Sequence, residues 1–185
     1  MAAIPPVCDF GWKARDAVLT GTDAKAHSIL QQAGPKGLVV AFICNHCPYV
    51  KAIIQRIVRD AEELAPIGIG FVAVNSNDAE AYPDDSYENM RRFAEDNRLP
   101  FPYLHDADQT VARAYGAVCT PDFFCFNSRG ELQYRGRLDA SRKEKDQPGL
   151  RRDLFEAMLQ IAETGEGPRE QVASVGCSIK WRENP

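Results

Sequence analysis

A continuous apolar run, Leu38-Val39-Val40-Ala41-Phe42-Ile43, is rich in β-branched residues and predicts a central strand covered on both faces. After Pro48 the period changes. Val50, Ile53, Ile54, Ile57, Val58, Ala61 and Leu64 recur at helical spacing and form one wide apolar face, which Pro66 and Gly68 stop. Ile69 to Val74 is a second buried-strand run, closed by the turn residues Asn75-Ser76-Asn77-Asp78. Strand, helix and strand in that order predict a right-handed parallel crossover.

Residues 1–36 carry few periodic runs and are broken by Gly11, Gly21, Gly34 and Pro35, as in an extended segment with room for a hairpin and a short helix around Ser28 to Gln32. Downstream, Asp85 and Glu88 have the offset of a capping box for a helix through Tyr87, Met90, Phe93 and Ala94 that ends before Pro100. Pro102 to Leu104 leads into a small helix capped by Asp108 and closed by Gly116. Asp122 to Phe126 reads as a strand and Asn127 to Gly130 as a turn. Leu132, Tyr134, Gly136 and Leu138 then alternate as one face of the returning strand of a hairpin. A charged linker, 140–147, precedes an amphipathic helix marked by Leu150, Leu154, Ala157, Met158 and Ile161 and ended near Gly165. In the tail, 166–185, Val175, Cys177, Ile179 and Trp181 alternate as in a strand laid against the body. This order predicts an α/β fold, a mixed sheet with helices on both faces.

The chain has 185 residues, 44% of them hydrophobic, enough for one well-filled core and short for two, so a single domain over 1–185 is expected. Its 26 acidic and 22 basic residues are mixed along the chain and leave no basic face for nucleic acid or an anionic membrane. The N-terminus has neither a cationic start nor an apolar h-region, and no stretch approaches transmembrane length, which predicts a cytoplasmic protein. Six cysteines could staple a secreted fold. In a reducing compartment they stay as thiols, with a close Cys-x-x-Cys kept for chemistry or metal.

Cys44-Asn45-His46-Cys47 is that motif, at the junction of the first buried strand and the long helix. Two thiols so placed form a redox site more often than anything else. Cys44 is expected to point at the unpaired amides and positive end of the helix, which favours thiolate. Cysteines in such motifs have pKa values lowered from about 8.5 to roughly 3.5–7.5. Cys44 is thus the expected nucleophile, and Cys47, one turn inward and less exposed, the resolving thiol. His46 reads either as a cation that stabilises the thiolate and makes the couple more oxidising, or as a solvated loop residue. Pro48 fits because a missing amide costs least in the first turn. Zinc normally takes four ligands, and no second Cys-x-x-Cys or His pair accompanies Cys44, His46 and Cys47. No metal and no cofactor is expected.

Phe42-Ile-Cys-Asn-His-Cys-Pro-Tyr-Val50, joined with Cys119-Thr-Pro-Asp-Phe-Phe124, resembles the redoxin branch of the thioredoxin superfamily. That group includes TlpA-like thiol-disulfide oxidoreductases and alkyl-hydroperoxide-reductase-type (AhpC/TSA-like) proteins. The likeness covers about residues 8–164, and the two motifs together are much more specific than either alone. It implies a thioredoxin-like fold with an N-terminal extension, in which residues 75–105 are the strand-helix insertion of the TlpA-like and peroxiredoxin-like branches. It also implies that Pro121 is the cis-proline facing the Cys-x-x-Cys across the substrate groove, although only about 5–6% of X–Pro bonds in general are cis. Asn45, His46, Thr120, Pro121 and Cys119 thereby stand as supporting residues around catalytic Cys44 and Cys47.

Two departures narrow the reading. Peroxiredoxins carry Pro-x-x-x-Thr-x-x-Cys, where this chain has Gly37 and Ala41 before Cys44, so the hydroxyl that orients a peroxide is missing there. Many thioredoxins also have a buried acid on the preceding strand. Leu38 to Ile43 has none, which leaves water, His46 or an acid elsewhere for proton transfer. Cys119 reads as a third redox thiol or, like most isolated cysteines, as a small core residue, with a Cys119–Cys177 relay as the bolder version. Cys8 and Cys125 read as structural. His105-Asp106 reads as a turn, although a downstream histidine joined with two cysteines could bind copper, as in copper-assembly relatives of this fold.

The expected activity is thiol-disulfide exchange through a mixed disulfide, between the Cys44–Cys47 couple and protein or low-molecular-weight disulfides or dithiols. It requires an unidentified electron donor or acceptor and no nucleic-acid or membrane partner. A peroxiredoxin-like peroxidase and a non-enzymatic metal-binding or redox-sensing protein are the alternatives.

Overall fold

The computed structural model describes residues 2–6, 8–141, 144 and 149–183. A short strand β1 (Ala2–Ala3) precedes the hairpin β2 (Val18–Gly21) and β3 (Ala26–Ser28), and a 3-10 turn follows at Leu30–Gln32. The apolar run then forms β4 (Gly37–Phe42), buried at every position, and the helical face forms α1 (Pro48–Leu64). β5 (Ile69–Asn75), α2 (Tyr87–Asn97), β6 (Tyr103–His105) and α3 (Thr110–Tyr115) lead to β7 (Cys119–Thr120). The chain closes with β8 (Asp122–Asn127), β9 (Leu132–Tyr134), α4 (Asp153–Thr164) and β10 (Gly176–Ser178).

The strands form ladders in the orders β3-β2-β6-β5 and β4-β8-β9. β4 lies along β5, where the Ile43 N–H donates to Val74 O at 3.0 Å, so the two ladders make one mixed sheet. β5 and β6 run parallel, whereas β4 and β8 run antiparallel over Gly37–Phe42. Period-2 alternation splits the side chains of β4 between two cores. Val39 and Ala41 pack with α1, α2 and α4, while Leu38, Val40 and Phe42 pack with α3 on the opposite face. The sheet therefore carries helices on both faces, as the element order predicts.

Three expectations need correction. Asp85 does not cap α2. Ser86, one residue on, accepts the Asn89 N–H at 3.3 Å, and Asp85 turns inward, fully buried. At α3 the amides of Val111 and Ala112 are taken by buried Asp106, at 3.1 and 2.9 Å, leaving Asp108 to Thr110. β9 stops at Tyr134 rather than running to Leu138, beyond a register shift at Cys125/Phe126.

The predicted stops fit: Gly116 and Gly165 take left-handed conformations (φ 63° and 79°) at the ends of α3 and α4. Of the charged linker, positions 142, 143 and 145–147 lie outside the described residues. Among the described residues, no helix is long and apolar enough to cross a membrane.

Candidate active site

β4 carries the chain into the core, and Cys44 follows two residues after its last position, so the sulfur enters the site from the buried end of the sheet. Cys47 is the N-cap of α1, with Pro48 at the first helical position. Both cysteines are 0% exposed, so Cys47 is not the more sheltered of the two. The Thr120–Pro121 bond is cis, as the resemblance implies, and joins β7 to β8 beside the pair. Thr120 serves both sulfurs: its hydroxyl lies 3.2 Å from Cys44 Sγ, and its carbonyl accepts from Cys47 Sγ at 3.1 Å when Cys47 is a thiol.

The two thiols are coupled, with the Cys47 pKa drawn down and that of Cys44 pushed up. The Cys44 side chain lowers the Cys47 pKa to about 5 against the effect of burial, helped by the backbone amides of Cys177 and Val50 and by the Cys177 thiol. The Thr120 carbonyl, by contrast, favours a protonated Cys47. Cys47 in turn pushes Cys44 up, followed by burial and by the negative charge of Asp85. α1 begins one residue after Cys47, and its unpaired amides face that sulfur, not one three residues earlier.

Asp85 is the site residue that sequence reasoning missed. Its carboxylate accepts the Asn45 N–H at 2.8 Å and the Asn77 side-chain amide at 2.7 Å, and lies 2.7 Å from His46 Nδ1. The buried acid expected of such sites is therefore present, supplied by the β5–α2 connection instead of the strand before the motif. Asn45 is fixed further through its amide to Asp84 O (3.0 Å) and its carbonyl to the Tyr103 hydroxyl (2.9 Å). His46 is tied to Asp85 and stacked on Tyr82 at a 6.2 Å ring separation, so it is more ordered than a solvated loop residue.

Cys119 points away from the pair. Its thiol contacts Pro121 O at 3.5 Å and the Ser174 side chain, and burial, the largest influence, pushes its pKa up. Cys125 is raised by burial on β8, and Cys8 is raised to about 11 by burial, both as expected of inert thiols. Cys177, by contrast, packs against the cluster that holds Cys44 and Cys47. His105 sits on β6 with its ring 5.9 Å from Tyr87, outside the group of side chains around Cys44.

Cys44 Sγ, His46 Nδ1 and a carboxylate oxygen of Asp85 lie within 4.8 Å of one another. These are three donors where structural zinc takes four, and the Asp85 oxygens already accept from Asn45 and Asn77.

Residues 10–135 match the model of the AhpC/TSA family. The chain belongs to that family. Among solved structures, an uncharacterized conserved protein from Geobacillus kaustophilus is 41% identical, with a TM-score of 0.93 over 100% of this chain and 98% of that one. A hypothetical protein from Sinorhizobium meliloti 1021 is 35% identical, with a TM-score of 0.89 over 98% of each chain. The pneumococcal exposed lipoprotein thioredoxin of Streptococcus pneumoniae strain TIGR4 is 19% identical, with a TM-score of 0.58 over 80% of this chain and 98% of that one. This AhpC/TSA protein thus has a thioredoxin-like fold. No curated protein matches it.

Proposed function

We propose that this protein is a thiol-disulfide oxidoreductase whose Cys44 and Cys47 alternate between dithiol and disulfide. The observation that carries this reading is the buried Cys44–Cys47 pair at the start of α1, both of whose sulfurs contact Thr120 beside the cis Pro121. With the pair's proton on Cys47, as its contact with the Thr120 carbonyl favours, Cys44 is the thiolate, beside the Thr120 hydroxyl. Cys44 then attacks a partner disulfide. The first partner sulfur leaves as thiolate and takes the Cys47 proton, with His46, held by Asp85, alongside. Cys47, deprotonated by that transfer, attacks the Cys44 sulfur of the mixed disulfide, and the second partner sulfur leaves as thiolate to be protonated by solvent.

Partners are protein or small disulfides and dithiols, with a separate donor or acceptor restoring the couple. The direction depends on its potential, with 30 mV corresponding to about 1.4 kcal/mol. A cytoplasmic location belongs to the same proposal. Replacing Cys47 by Ser should trap a covalent adduct through Cys44, visible by intact mass. Failure to trap one with any disulfide partner would reject the mechanism.

A cysteine peroxidase is the second reading, and one observation favours it. The hydroxyl missing at Ala41 has a counterpart in Thr120, 3.2 Å from Cys44 Sγ. Rapid sulfenic acid formation on Cys44 at low peroxide would support it, and slow formation would leave disulfide exchange alone.

A further inference from the structure

Cys177 is half-buried on β10, directly opposite Thr120 in the antiparallel ladder with β7. Opposed residues share a face of the sheet, here the face from which the Thr120 hydroxyl reaches Cys44. Cys119, opposite Ser178, lies on the other face, which separates it from Cys177. The Cys177 side chain packs against the core cluster that holds Cys44 and Cys47, and Thr120 opposite it contacts both of their sulfurs.

The tail is fitted to this position. A Cβ on Gly176 would lie 2.1 Å from Thr120 O, so only glycine lets the strand approach so closely. The Ile179 N–H donates to Val118 O (3.1 Å), and the Lys180 N–H donates to Asn77 Oδ1 (2.9 Å). Cys44 and Cys47 are both fully buried, and the pocket beside Pro121, walled by Ile53, Leu138 and tail residues 172–175, reaches neither sulfur. Of the three thiols, Cys177 is the one with access to solvent.

We propose that Cys177 is a third redox thiol that carries the disulfide from the buried pair to the surface. This rests on the Cys44–Cys47 exchange reading above. The Cys177 sulfur attacks Cys47 Sγ of the Cys44–Cys47 disulfide. The Cys47–Cys177 bond forms, the Cys44–Cys47 bond breaks, and Cys44 leaves with the electron pair and takes up the proton that Cys177 gave. Nothing is oxidised overall in this step. An external dithiol then attacks Cys177, and Cys47 leaves as thiolate. The second thiol of that reagent closes its own disulfide and frees Cys177, its two protons ending on Cys47 and Cys177.

Burial, and then the Cys47 side chain, raise the Cys177 pKa to about 11 in the reduced protein. The second of these disappears once Cys47 is in a disulfide and has no charge. The stabilised Cys47 thiolate is a good leaving group for the second step.

The test is a disulfide map by peptide mass spectrometry after treatment with diamide. Cys44→Ser, with Cys44→Ala as a second variant, is expected to give a Cys47–Cys177 link. Cys47 and Cys177 both recovered as alkylated thiols would overturn the proposal. Wild type treated alongside reports on the underlying reading: Cys44 recovered as a free thiol with Cys47 also free would sink disulfide exchange itself. As a measurement independent of the Cys44 variants, reduction of oxidised Cys177→Ser by dithiothreitol should be slower than wild type by about tenfold or more. Equal rates would also overturn the relay.

Discussion

His46 Nδ1 lies 2.7 Å from Oδ2 of Asp85, so the imidazole between the two cysteines is bound to a fully buried carboxylate from a different part of the chain. The same carboxylate raises the Cys44 pKa through its charge. Asp85→Asn should therefore lower the Cys44 pKa and speed its alkylation at neutral pH, read as rate against pH by peptide mass. An unchanged profile would show that Cys44 does not feel the Asp85 charge. Asp85→Ala should in addition cost about 1–3 kcal/mol in urea denaturation, because the Asn45 N–H and the Asn77 amide lose their buried acceptor.

The sulfur pair should make stability depend on pH with a maximum. The Cys47 pKa falls from 9.0 to about 5 on folding, while that of Cys44 moves up from the same starting value. Below about pH 5 folded and unfolded pairs both hold two protons. Between about 5 and 9 the folded pair holds one and the unfolded pair two, so stability rises with pH, by at most about 1.4 kcal/mol per unit. Above 9 the unfolded pair has lost both protons while the folded pair keeps one, and the gain reverses. Urea stability of the reduced protein, minus that of the Cys44→Ser/Cys47→Ser double variant, should peak near pH 9. A flat difference would refute the shared proton.

Thr120→Val keeps the shape but removes the hydroxyl beside Cys44, and Thr120→Ser restores it. The Thr120 bond is one of the influences that favour the Cys44 thiolate. The valine variant should exchange with a small disulfide about tenfold more slowly at neutral pH, one unit of pKa being about 1.4 kcal/mol. The serine variant should recover most of that rate. A valine variant as fast as wild type would remove the hydroxyl from the mechanism.

Asp122, next to Pro121, is fully buried, and Arg135 holds it at 2.8 Å with a second contact at 3.3 Å. Arg135→Met should destabilise by about 3–5 kcal/mol, since it leaves a buried charge without a partner. Adding Asp122→Leu should recover much of that loss. The comparison of single and double variants in denaturant checks both statements.

The scaffold was legible wherever burial imposes a period. Leu38 to Ile43 and the face from Val50 to Leu64 mark β4 and α1 because each must hide its apolar side chains, and the cysteine motif is located by their junction. Asp85 was not legible. Pro83-Asp84-Asp85-Ser86 has the composition of a helix start, and a single carboxylate turned inward leaves no periodic trace; only the tertiary fold brings it to Asn45 and His46.

β10 lies between β1 and β7, so the main-chain groups next to Cys119 and Thr120 already pair within the chain. An extended polypeptide that sought to add a strand at Thr120 would compete with a tethered segment at high effective concentration. Clients whose recognition depends on such backbone pairing are thereby handicapped, whereas a small thiol, which needs no sheet edge, is not. The tail thus closes the sheet edge beside the sulfurs to such pairing.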